Sequence, residues 1–123
     1  MKNIRNQPKY NFFKNSTYAL NGLKDIVQNE SSFKIELILA FLLLPIVLVL
    51  DISTTYKLLM YLSFMAILVA EAINSAIERV VDLVTLEYHP MAKKAKDVGS
   101  AIVFLSIVNC IVVWLVCLIE LLL

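Results

Sequence analysis

Between residues 12 and 27 the apolar side chains Phe12, Phe13, Ala19, Leu20, Leu23, Ile26 and Val27 gather on one side of a helix drawn at about 100° per residue. Lys14, Thr17, Asn21, Lys24, Asp25 and Gln28 fall opposite. This pattern predicts an amphipathic helix over about 12–29, too polar to span a bilayer and suited to lying on its surface. Ser31 and Ser32 are candidate caps for the next helix. A mainly apolar run over about 33–50, roughly 27 Å long as a helix, is just enough to cross hydrocarbon. The polar turn Asp51-Ile52-Ser53-Thr54-Thr55 ends it and supplies hydroxyls to start another helix. Residues 58–70 alone are too short to span, but apolar positions continue through Ile73, Ala76, Ile77, Val80, Val81 and Val84. One long helix is therefore expected over about 55–86, its last turns emerging from the bilayer, with His89-Pro90 as the break. A third span is expected over about 96–121, and residues 98–119 within it carry no charge. Residues 1–11 are polar, basic and interrupted by Pro8, so they are expected to form a loose arm.

The expected fold is an all-α membrane protein of one domain over 1–123, with three transmembrane helices plus an N-terminal amphipathic surface helix. Composition agrees. Of 123 residues, 60% are hydrophobic, and the mean hydropathy is +0.80. A soluble domain, at about 45–50% apolar, could not bury so much. No cleavable leader is expected, because the first long apolar run begins only near Phe33. Cys110 and Cys117 lie on one face of the third span and are expected to be packing residues, since a seven-residue spacing suits neither a disulfide framework nor a zinc site.

The net charge of +1 conceals an uneven distribution. Lys2, Arg5, Lys9, Lys14, Lys24 and Lys34 precede or open the first span, and Arg79, Lys93, Lys94 and Lys96 flank the second loop. Only Lys57 stands near the first loop. The positive-inside rule then puts the N-terminus and the second loop in the cytoplasm and the C-terminus outside.

Ionisable groups in a membrane helix are functional candidates by default. Glu71, Asn74, Ser75, Glu78 and Asp82 fall at about 0°, −60°, +40°, −20° and +20° around their helix, one polar stripe. In a three-span monomer this stripe is expected to face lipid unless other helices cover it. A seam specifying helix association would explain an Asn and a Ser. Two glutamates two turns apart point further, because packed seams rarely hold paired anions without a cation. Two carboxylates on one face suit Mg²⁺, which completes its shell with substrate phosphates. Glu30, at the end of the surface helix, lies at the same membrane surface.

Lys93 and Lys94 belong to the positive-inside cluster. Lys96, beside Asp97 at the head of a span, is a stronger candidate. Glu36 divides evenly between a snorkelling interface residue and a functional one. Asp51, Lys57 and Glu120 are expected to be solvated ends. His89 is the chain's one histidine and neighbours Tyr88 in the cytoplasmic loop, where the pair could meet a nucleotide. Trp114 and the interfacial tyrosines are expected to anchor in the bilayer. Walker A, Gly-rich kinase loop, HRD and DFG patterns are absent, which excludes the familiar soluble nucleotide folds.

The string Glu71-Ala-Ile-Asn74-Ser75-Ala-Ile-Glu78, then Val81-Asp82, Glu87-Tyr88-His89-Pro90 and Ala95-Lys96-Asp97-Val-Gly99-Ser100-Ala101, resembles the prokaryotic integral-membrane diacylglycerol kinases. The likeness covers almost the whole chain. It implies a homotrimeric helical bundle with shared active sites. It further implies transfer of the γ-phosphate of MgATP to a membrane lipid hydroxyl at the cytoplasmic face of the bacterial inner membrane. It implies Glu71 as general base, Glu30 and Glu78 as ligands of Mg²⁺ on ATP, and Asn74 as support for the carboxylates. Tyr18, Glu30, Glu78, Glu87, Tyr88, His89, Lys96 and Asp97 would meet the nucleotide. Glu71, Asn11, Ser32, Lys34, Glu36, Ser100 and Trp114 would meet the lipid. Asn11 stands where the family often has an arginine, whose role Lys9 or Lys14 would take, and Ile35 where a polar amide can occur.

Diacylglycerol is the leading acceptor, and undecaprenol, the substrate of related kinases, is the alternative. A different class, a small oligomeric transporter with cation-binding carboxylates, would not need Glu30, Lys96-Asp97 and a His–Tyr loop on one membrane face. No nucleic-acid partner is expected.

Overall fold

The computed structural model describes residues 5, 6 and 8–123; part of the expected polar arm, residues 1–4 and 7, lies outside the described residues. Among the described residues four helices follow in order: α1 (Phe12–Asn29), α2 (Ser31–Val49), α3 (Thr54–Val84) and α4 (Pro90–Leu122). The last three are each long and apolar enough to cross a membrane. α3 is the centre of the fold, packing most extensively on α4 and also on α2, while α1 meets α2.

Local chemistry explains the boundaries. The Asn11 side chain accepts from the Lys14 N–H (3.2 Å) and so caps α1. Glu30 alone separates α1 from α2, as the extended C-cap of one and N-cap of the other. Neither Ser31 nor Ser32 is the cap; Ser31 is already helical, and the Glu30 side chain makes no capping bond because it is turned elsewhere. α3 ends at Val84, two residues earlier than expected, with Thr85 extended. α4 begins six residues earlier than expected because Pro90 starts a helix rather than only ending one. Its missing N–H is an orphan donor at a first helical position in any case, and His89 Nδ1 caps the turn by accepting from the Met91 N–H (3.1 Å). Pro45 lies within α2, where it denies the Phe41 carbonyl its helical partner.

Between helices in lipid, close packing and internal hydrogen bonds replace the hydrophobic drive, and here small side chains interleave with large ones. One cluster joins Ala40, Phe64, Ile67 and Cys110; a second joins Val47, Met60 and Cys117. Ser63 Oγ donates to the Met60 carbonyl (2.9 Å) and lies 3.7 Å from Cys110 Sγ. Both cysteines are free and buried, as packing residues should be. Trp114 departs from expectation. Its indole N–H donates to the Met60 carbonyl (3.2 Å) and its ring tilts against Phe64 (6.3 Å), so it belongs to the α3–α4 seam and not to a bilayer anchor. Outside these contacts α2 and α3 expose large apolar side chains, among them Phe41, Val49 and Leu83.

Candidate active site

The polar stripe of α3 lies on one face, and its members other than Glu78 find a neighbour on another element. Ser75, buried, donates its hydroxyl to Glu30 Oε1 (2.7 Å), binding the middle of α3 to the α1–α2 junction. Arg79, one turn further along, reaches the same Glu30 oxygen (3.4 Å) and pairs with Asp25 of α1. Asn74 Nδ2 donates to Glu78 Oε1 (3.2 Å), while Asn74 Oδ1 is buried against α4 without a partner. Asp82 accepts from Lys96 of α4 (2.6 Å), and Asp97 is held within α4 by Lys93 (2.6 Å). The Glu71 carboxyl neighbours that of Glu36 across the α2–α3 contact, where Glu36 Oε2 is buried without a hydrogen-bond partner.

These contacts cover the stripe only in part. α4 packs on the Asn74 edge and the α1–α2 junction on the Ser75 edge, while Glu71 and Glu78 stay half-buried and Asp82 exposed. They also supply the cation that a seam of anions requires, in Arg79.

Beside the stripe's outer end, an open hollow of about 480 Å³ lies between the end of α3 and the start of α4. Asp82, Glu87, Tyr88, His89, Lys96 and Asp97 line it, so the loop residues expected to share one ligand do share one space. His89 gives Nδ1 to the cap of α4. The Glu87 N–H is held by Thr85 Oγ1 (3.1 Å), which fixes the loop's turn. Tyr88 is exposed.

Other expected residues stand apart. Tyr18 is exposed on α1, about 18 Å along the helix from Glu30. Asn11 is used as a helix cap. Ser32 and Lys34 are exposed in the first turn of α2, and Ser100 is exposed on α4. Trp114, at the level of Met60, is about 16 Å along α3 from Glu71.

Asp25, Arg79, Lys93 and Gly99 were missed. Arg79 lies at about +80° on the α3 wheel, just beyond the stripe and within reach of a long side chain. Asp25 falls on the polar side of α1 and looks solvated until Arg79 is opposite it. That ion pair, helped by Asn29, holds the Asp25 carboxyl below its ordinary 3.8.

The donor set fits magnesium in one specific sense. No group of three or more His, Cys, Asp or Glu side chains able to hold a metal occurs among the described residues. Mg²⁺ on a nucleotide needs only one or two protein carboxylates, because phosphate oxygens and water complete its octahedron. Glu30 and Glu78, each oriented by a neutral hydrogen-bond donor, provide that number.

The family description Prokaryotic diacylglycerol kinase matches residues 17–118. The chain is 40% identical over 101 residues to a diacylglycerol kinase of Haemophilus influenzae, covering 81% of this chain and 86% of that one. With the diacylglycerol kinase of Escherichia coli it shares 36% identity over 97 residues, 79% and 80% of the two chains. A Bacillus subtilis undecaprenol kinase is 30% identical over 102 residues, 82% and 83% of the two.

Proposed function

The chain belongs to the prokaryotic diacylglycerol kinase family, and from that membership we propose that it transfers the γ-phosphate of MgATP to diacylglycerol, giving phosphatidic acid. The observation that carries the proposal is the arrangement of Glu30, Glu78 and Glu71 around one face of α3, with the Glu87–Asp97 hollow at its outer end.

Phosphoryl transfer asks the protein mainly for positioning, charge neutralisation and a proton acceptor. Glu30 and Glu78 would hold the magnesium of the nucleotide, whose charge would offset that developing on the phosphates. Ser75 and Asn74 aim those two carboxylates. Tyr88, His89, Lys96 and Asp97 receive the nucleotide in the hollow. Glu71 sits about 10 Å further along α3 from Glu78, deeper in the apolar zone where a lipid hydroxyl arrives. Its carboxylate takes the hydroxyl proton as the lipid oxygen attacks the γ-phosphorus, and the bond from that phosphorus to the β–γ bridging oxygen breaks, releasing ADP. Glu36, beside Glu71, faces the lipid headgroup together with Ser32, Lys34 and Ser100.

α1 lies on the cytoplasmic surface, with the N-terminus and the α3–α4 loop on that side and the C-terminus outside, as the basic residues favour. Three copies form the bundle and share its active sites. The apolar hollow of about 660 Å³ between α2 and α3, with Phe41, Leu44 and Met65 in its wall, gives a neighbouring helix a surface to pack on.

A second reading, undecaprenol as acceptor, is favoured by the identity to the Bacillus kinase named for that lipid. Purified protein in mixed micelles with γ-labelled ATP, offered each lipid in turn, decides between them. Label in phosphatidic acid is the expected result. Label only in the polyprenyl phosphate transfers the assignment to the second reading, and label in neither, with protein that stays folded, overturns both.

A further inference from the structure

Gly99 is buried in α4 against Asn74. A glycine inside a helix weakens it relative to alanine, so the space left by its missing side chain has another use. A Cβ built at Gly99 would lie 2.3 Å from Asn74 Oδ1 and 3.4 Å from Asn74 Cγ. The chain's other glycine, Gly22 in α1, has nothing within 4 Å of the same construction. Gly99 is therefore a close-approach position and Gly22 is not.

The atom that fills the gap belongs to the candidate site. Asn74 points its buried, unpartnered oxygen at Gly99 and its amide nitrogen at Glu78 Oε1 (3.2 Å). The reverse orientation would set an amide oxygen against a carboxylate oxygen, so Glu78 dictates which way the amide lies. We propose that Gly99 is a positioning residue: by withholding a Cβ, α4 lets the Asn74 amide lie where it holds the Glu78 carboxylate. The inference rests on the reading of Glu78 as a ligand of the magnesium nucleotide. Alanine at position 99 would meet the far end of a flexible side chain rather than backbone, so the helices stay packed while Asn74 swings out and Glu78 loses its donor.

The test uses four full-length proteins in micelles: wild type, Gly99→Ala, Asn74→Ala and the double variant, with Gly22→Ala as control. A lost hydrogen bond to a charged group predicts that Gly99→Ala and Asn74→Ala each weaken MgATP binding about tenfold. The double variant should be no weaker than Asn74→Ala alone, because the added Cβ then meets no oxygen, and Gly22→Ala should bind as wild type. Wild-type binding by Gly99→Ala, or a double variant whose loss is the product of the two, overturns the proposal. Thermal unfolding midpoints of the same four proteins without nucleotide should show the same non-additivity, and additive midpoints overturn the contact itself. Should Gly99→Ala fail to fold, the double variant must fold, and its failure counts against the proposal. Undiminished MgATP binding by Glu78→Gln would instead break the metal reading, with the Gly99–Asn74 contact still judged by the midpoints.

Discussion

Ser75 Oγ donates to Glu30 Oε1 at 2.7 Å, joining the middle of α3 to the single residue that separates α1 from α2. The bond explains why the Glu30 carboxylate caps neither helix. It also makes Ser75 the internal reference that sets where the surface helix ends relative to the carboxylates of α3.

Ser75→Ala should therefore act on the nucleotide and not on the lipid. A hydrogen bond to a charged acceptor is worth about 1.5–3 kcal/mol, but Arg79 remains on the same oxygen and keeps Glu30 from drifting far. The expected outcome is an MgATP KM raised about tenfold with kcat nearly unchanged. Steady-state kinetics with ATP and lipid varied separately checks it. An altered lipid KM with an unchanged ATP KM would remove Ser75 from this role.

Asp25 and Arg79 form the second tie, between α1 and α3, and it is an exposed one. Arg79→Asp should loosen α1 through like-charge repulsion with Asp25, and adding Asp25→Arg should restore it. Amide hydrogen exchange along Phe12–Asn29 is the measurement. Because Arg79 holds the Asp25 carboxyl below its ordinary 3.8, the tie is present above that pH and is lost as pH falls through the lower value. Protection of α1 should accordingly be flat through the neutral range and fall only in strong acid. The Asp25→Asn variant should lack that acid step.

The helices and the stripe were legible because each rests on a local period. Glu71, Asn74, Ser75, Glu78 and Asp82 lie on one face whatever surrounds them, and no neighbour had to be known to see it. Partners across helices were not legible. Lys96 of α4 pairs with Asp82 of α3, a partner that its place beside Asp97 in the sequence does not reveal. The Gly99–Asn74 approach depends on the register of α4 against α3, which no repeat in either helix encodes. Trp114 shows the same limit. An indole near a span's end suits the interface on composition alone, and only the Met60 carbonyl across the α3–α4 contact turns it inward.

Orientation follows from charge and can be tested alone. Single cysteines at Ser53 and at Lys93 should label from outside and from the cytoplasm respectively. Cys110 and Cys117 are buried and will give little background. Outside labelling at position 93 would invert the topology and with it the cytoplasmic site.

Shared active sites make a genetic prediction. Glu71 and Asp97 would come from different copies, so trimers mixed from Glu71→Gln and Asp97→Asn subunits should regain part of the activity that each variant lacks. Mixed trimers verified by two affinity tags, yet inactive, would confine each site to one chain. The gathering of Glu30, Ser75 and Glu78 within one protomer would then extend to the whole site.

The carboxylates should separate by role. Glu71 is the one adjoined by Glu36 rather than by a neutral donor, and it lies about 10 Å deeper along α3 than Glu78. Replacing it with glutamine keeps the shape and removes the proton acceptor. Glu71→Gln should abolish turnover, by about 10²-fold or more for loss of a general base, while leaving MgATP binding nearly intact. Glu30 and Glu78 are the proposed ligands of the magnesium nucleotide, and each is oriented by a hydrogen bond from α3. Glu30→Gln and Glu78→Gln should weaken MgATP binding, and raising free Mg²⁺ should recover part of it, because a site that has lost one of two carboxylates binds the ion less tightly without losing its geometry. Equilibrium binding of MgATP to each purified variant, measured beside its turnover, distinguishes the two classes. Loss of binding in Glu71→Gln together with intact binding in Glu78→Gln would exchange the base and the ligand, and would move the chemistry from the deep end of the stripe to its surface end.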